Sequence, residues 1–128
     1  MLATQLAFFP EINEKEILSE VIEILVDYKS LKVKMLNRQE VLERGYSGNL
    51  FPIFKNNDLE SELKVNLIER ALNFSLDKTE RLIIEMKYLN SEEKTDLNIY
   101  LDLGIKKKLY YIKKKRALLA IAKSLGMI

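Results

Sequence analysis

The sequence predicts an all-α protein, with a long N-terminal amphipathic helix and a C-terminal helix-turn-helix bundle. Three observations carry that prediction. Glycine and proline total only six of 128 residues, and three of them cluster between residues 45 and 52. Apolar residues recur at helical spacings of three and four. No alternation of period two persists anywhere, which removes half-buried strands. Hydrophobic residues make up 48% of the chain and charged residues 31%, enough apolar material for a core in a chain of one domain or one domain plus an appendage.

The first helix is expected over about residues 14–42. Asn13 offers a cap with Glu16 three residues on, and Ile17, Val21, Ile24, Tyr28 and Leu31 form a stripe that Leu18, Ile22 and Leu25 widen. One helix cannot bury such a stripe on itself, so it packs on the rest of the chain or on a second copy. The stretch RGYSGNLFPIFKNN (44–57), holding Gly45, Gly48 and Pro52, has turn signals without a period and reads as a joining loop. Asn57 or Asp58 then caps a second helix to about Phe74, with Leu59, Leu63, Leu67, Ala71 and Phe74 as its apolar positions. Asp77 and Glu80 make a capping box for a third helix that buries Leu82, Ile83, Met86 and Leu89. After the polar stretch 90–96, Thr95 or Asp96 caps a short helix to about Leu103. Gly104 suits the left-handed residue that ends it, and a last helix runs from about Lys106 to Leu125 with Gly126 as its stop. The organisation expected is an N-terminal helical segment (1–43), a loop (44–57) and a helix-turn-helix domain (58–128).

Composition excludes several functions. The chain has no histidine and no cysteine. Zinc sites built on imidazole or thiolate, Cys–His nucleophiles and disulfides are therefore out. Carboxylates such as Glu92, Glu93 and Asp96 lie in a polar turn with no glycine-rich phosphate loop nearby, so neither an enzyme nor a cofactor or metal site is expected. No apolar run approaches the ~20 residues that span a bilayer, and the start MLATQLAFFPEINE lacks the basic region of a signal peptide. The expectation is a cytoplasmic protein without a membrane partner.

Charge is unevenly spread. The formal total is +2, yet residues 104–128 hold eight bases and no acid, while residues 1–27 hold six acids and one lysine. So concentrated a positive field suits a polyanion. The acidic start is also placed to shield the basic tail. Within the tail, Leu97, Leu101 and Leu103 give the short helix apolar faces, Gly104 permits a sharp turn and Ile105 pins that turn to the core. The helix that follows is basic and aromatic in front and apolar behind, where Ala117, Leu118, Ile121, Ala122 and Leu125 return to the core. A membrane-surface helix keeps its apolar stripe along its whole length, and this one does not.

The segment 76–125 resembles region 4 of bacterial sigma factors in three places. These are the L-D-x-x-E-R-x-I-I-E-x-x-Y-L run from Leu76 to Leu89, the L-G-I turn from Leu103 to Ile105, and Arg116-Ala117 beyond it. The closing YYIKKKRALLAIAKSLG (110–126), with the chain length and the long first helix, is most similar to the ArpU family of phage and prophage regulators, related in role to RinA. Two positions depart from the sigma-like pattern. Tyr100 stands where a small residue is usual, and Lys106 stands where Ser or Thr usually caps the recognition helix.

The resemblance implies a sequence-specific double-stranded-DNA-binding regulator that activates phage late genes for packaging and lysis, with promoter DNA and RNA polymerase as partners. By helix-turn-helix register, Lys106, Lys107, Lys108, Tyr111, Ile112 and Lys115 face DNA, and Lys113, Lys114 and Arg116 contact its backbone or solvent. Tyr110, with Leu109, belongs to the core. Arg81 and Lys87 on the supporting helix are candidates for flanking phosphates. One recognition helix reads only a few base pairs, and the helix at 14–42 is the candidate to double the site as a homodimer contact, its alternative job being to dock on RNA polymerase or on its own C-terminal domain. The competing reading is a non-enzymatic interaction module whose basic helix binds an acidic protein.

Overall fold

The computed structural model describes residues 10–46 and 59–128, and among them there are five α-helices and no strand. They are α1 (Pro10–Glu43), α2 (Leu59–Phe74), α3 (Lys78–Ile84), α4 (Asp96–Leu103) and α5 (Lys107–Ser124), with α3 running on into a π-helical stretch at Glu85–Leu89. The all-α class is as the sequence predicts. Gly48, Pro52, Asn57 and Asp58, on which most of the loop and the α2 cap were placed, lie outside the described residues. The helix α1 starts at Pro10, ahead of the expected Asn13, with proline at a position where its missing N–H costs no hydrogen bond.

Local signals set the remaining ends. Asp77 caps α3 by accepting from the Glu80 N–H at 2.7 Å, and Glu80 accepts in return from the Asp77 N–H at 2.8 Å. That reciprocal box explains why Glu80 is the one buried charged residue among those described. Thr95, not Asp96, caps α4 through Oγ1. Gly104 takes φ 68°, and the amides of Gly104 and Ile105 bond back to the carbonyls of Leu101 and Tyr100. A residue with a Cβ is strained in that left-handed conformation. Gly126 ends α5 in the same manner.

The core has two parts. The larger joins Val21 and Leu25 of α1, Ile68, Ala71 and Leu72 of α2, Ile84 and Tyr88 around the π-helical stretch, and Ala117, Leu118, Ile121 and Ala122 of α5. The smaller holds Ile83, Ile99 and Tyr110, with Met86, Tyr100, Leu103 and Ile105 packed around it. The first half of α1 thus spends its stripe on the chain's own core, with Ile17, Leu18, Ile22, Ile24 and Tyr28 packed at the edge. Val21 and Leu25 are thus spent in the chain's own core, while Val26, Val33 and Leu36 of the same helix stay exposed. Tyr28 donates to Glu69 at 2.7 Å, and Lys32 pairs with the same carboxylate, tying α1 to α2.

Three expected faces shift. On α2 the buried residues are Val65, Ile68, Ala71 and Leu72, while Leu59, Leu63, Leu67 and Phe74 stay exposed. Both faces are apolar at helical spacing, so periodicity alone selects either. On α3, Ile83 is buried and Met86 and Leu89 pack partly buried against the two clusters as expected, but Ile84 and Tyr88 are buried as well, so the inward side is wider than the stripe. On α4, Ile99 is the buried residue; Leu97 and Leu101 are exposed and Leu103 is half-buried.

Candidate nucleic-acid interface

The turn from Gly104 to Lys106 sets α5 against α4. Ile105 packs beside Ile83, Ile99 and Tyr110, anchoring the turn as the sequence predicts. Lys106 occupies the cap position of α5 with extended backbone and no side-chain hydrogen bond, so the missing hydroxyl has no replacement. Tyr100 is accommodated as a partly buried ring, 5.7 Å from the Tyr110 ring at a tilt of 50°.

Tyr110 is wholly buried, and its hydroxyl donates to Asp96 Oδ1 in the first turn of α4. Lys114 Nζ donates to the same oxygen at 3.1 Å, and Lys87 Nζ lies 3.7 Å from it. Tyr111 reaches the other oxygen of Asp96 at 3.5 Å. Asp96 thereby joins α4, α5 and the π-helical stretch. Burial alone raises its carboxyl pKa, but the hydrogen bonds from Tyr110 and Lys114 and the charges of Lys114 and Lys87 outweigh burial and hold it below the ordinary range. Burial and then Asp96 raise the Tyr110 hydroxyl, and the same causes push Tyr88 up to about 12. Lys114 also stands 5.6 to 6.0 Å from the ring centres of Tyr88, Tyr110 and Tyr111.

These contacts sort the basic residues. Lys113 pairs with Asp77 at 2.9 Å, clamping α5 to the start of α3. Lys113 and Lys114, expected to contact the DNA backbone or solvent, are half-buried, each drawn inward by a carboxylate on another helix. Arg81 is likewise held by Glu85 and Asn73, and Lys87 by Asp96 and the Lys94 carbonyl. The residues left on the open face are Lys106, Lys107, Lys108, Tyr111, Ile112, Lys115 and Arg116. Lys108, Ile112 and Lys115 follow one line along the helix at steps of four and three. Leu109 joins this face and not the core, 43% exposed. Lys106, Lys107, Lys108 and Arg116 have no ion-pair partner among the described residues. Lys115 has one, Glu14 at the start of α1, which brings one acid of the N-terminal stretch onto the basic helix.

The titrating groups give this arrangement a pH signature. Asp96, Asp77 and Glu69 all have lowered pKa values. A depressed carboxyl contributes stability above its unfolded value, about 4, and loses it as pH falls. Tyr110, Tyr28 and Tyr88 are raised, so their contribution is present below about pH 10 and is lost above it. Because the chain lacks histidine and cysteine, denaturation midpoints should be flat between about pH 5 and 9 and fall on both sides. Chemical denaturation across a pH series measures this, and a slope between about pH 6 and 8 would contradict it.

No family model, curated protein or solved structure matches the chain. No described helix is long and apolar enough to cross a membrane. Any reading of the basic face therefore rests on its geometry and charge.

Proposed function

We propose that the protein is a double-stranded-DNA-binding regulator that lays the first half of α5 in the major groove. The observation that carries this reading is the open face of α5. Directly after a glycine turn, a helix presents Lys107, Lys108, Tyr111, Ile112 and Lys115 outward, while its rear, from Ala117 to Ala122, is anchored in the core. An exposed cationic helix on a rigid base is what phosphate and base-edge contacts need. Lysine is a point charge that serves either phosphate or guanine, and the apolar surface of Ile112 suits a thymine methyl. Activation of phage late genes, with RNA polymerase as a second partner, is the regulatory role that the sigma-like and ArpU-like resemblance supports.

The test is binding of the purified chain to tiled promoter fragments from its own genome across a salt series. One fragment held far more tightly than the rest, with that preference lost in Lys107→Ala/Lys108→Ala/Tyr111→Ala, is the expected result. Uniform weak binding abolished by moderate salt would overturn it and favour an acidic protein as partner of the same face.

A further inference from the structure

One ion pair crosses from the N-terminal helix to the open face of α5. Glu14 Oε1, in the second turn of α1, lies 2.5 Å from Lys115 Nζ, and both side chains keep access to water. The two preceding lysines are held by Asp77 and Asp96, acids at the starts of α3 and α4. Lys115 differs from them in standing on the outward line with Lys108 and Ile112, and in taking its carboxylate from α1. The position of that carboxylate is set by packing. One turn on, Ile17 and Leu18 lie against the larger core cluster, and Val21 is wholly inside it. The same cluster holds Ala117, Leu118 and Ile121, the rear of α5. The core that roots α5 therefore also fixes the start of α1 beside it.

We infer that Glu14 is a built-in competitor for the far end of the basic face: a ligand phosphate reaches Lys115 only by displacing this carboxylate. The inference rests on the reading of α5 as a polyanion-binding helix, and adds an internal brake to it. Lys106, Lys107, Lys108 and Arg116, without ion-pair partners among the described residues, meet a phosphate directly. Lys115 must first exchange one oxyanion for another, and the attraction it gains is offset by the one it gives up. The displaced Glu14 charge then stands beside the phosphate and takes up a cation. That uptake offsets the counterion that a contact from Lys115 releases, so the wild-type chain shows a shallower salt dependence than its exposed bases alone predict. Because an exposed ion pair is a weak tie, the device trims affinity without closing the face. It also makes α1 part of the binding unit, since the acid that regulates the helix is delivered by the N-terminal segment.

Glu14→Gln and Glu16→Gln in the full chain, probed with immobilised heparin and with a duplex of arbitrary sequence, test this. Both substitutions remove one charge from the same end of α1. Glu16, however, is exposed, has no ion-pair partner among the described residues and stands about 200° further round the helix, on the side opposite Glu14. Glu14→Gln should bind the duplex about two- to fivefold more tightly, elute from heparin at higher salt, and steepen the slope of log affinity against log salt by up to about one unit. Glu16→Gln should change affinity less than about twofold, its charge being screened over ~8 Å at physiological ionic strength. In a Lys115→Ala background, Glu14→Gln should lose its effect. Equal gains from both glutamine variants, or a gain that survives Lys115→Ala, would reveal general repulsion from an acidic helix end and overturn the inference. No gain on either probe overturns it as well. A gain on both probes, beside promoter fragments bound without preference, upholds the role of Glu14 and removes sequence-specific recognition instead.

Discussion

Replacing Tyr110 by alanine is expected to remove a large share of the protein's stability. Its ring is fully buried at the centre of the smaller core cluster, and truncating such a ring costs about 3–5 kcal/mol in lost contacts and residual cavity. A domain of this size holds only about 5–15 kcal/mol in all. The alanine variant also leaves Asp96 without the hydroxyl that it accepts from. Tyr110→Phe separates the two effects, since it keeps the packing and removes only the hydrogen bond. It should cost about 1–3 kcal/mol, because Lys114 and Lys87 still face the carboxylate. Denaturant unfolding of both variants measures the split. Equal losses would mean that the hydrogen bond, not the ring, holds α4 to α5.

The second large effect concerns lysines that sit side by side in the sequence. Lys107→Ala/Lys108→Ala/Lys115→Ala should reduce the salt dependence of DNA binding by up to about three phosphate contacts, each close to one unit of slope in log affinity against log salt. Its melting temperature should stay near that of the parent, since Lys107 and Lys108 are exposed and form no ion pair among the described residues, and an exposed pair such as Lys115 with Glu14 is worth about 0–1 kcal/mol. Lys113→Ala/Lys114→Ala should behave in the opposite way, melting earlier while keeping most of the salt slope, because these two lysines bind Asp77 and Asp96 within the fold. Fluorescence anisotropy in a salt series beside thermal melts compares the two variants. Indistinguishable variants would sink the assignment of the open face.

The residues read most clearly where the signal is local. The Asp77–Glu80 box, the Thr95 cap, the left-handed Gly104 and the apolar rear of α5 all depend on neighbours within a few positions, and all stand where the sequence places them. What the sequence hides is phase and partnership. On α2 two apolar faces share one period, and only contact with α1 and α5 decides that Val65 and Ile68 go in and Leu63 and Leu67 stay out. The π-helical stretch adds no compositional mark, yet it carries Tyr88 into the core beside the partly buried Met86 and Leu89. In the run Lys113-Lys114-Lys115 three identical side chains meet Asp77, Asp96 and Glu14, partners distant along the chain and invisible to any window. The open basic face was therefore legible as a helix half, and its two inward lysines were not.

The division of the core into two clusters has a consequence for how the molecule fluctuates. Helix α4 gives only Ile99 to the fully buried set, whereas α5 is rooted in both clusters. Helices with so few buried contacts open at a cost well below global unfolding. The helix in front of the turn is thus a soft cushion and the one behind it a stiff blade. In the proposed DNA complex, α5 would keep its alignment while the support in front of it adjusts.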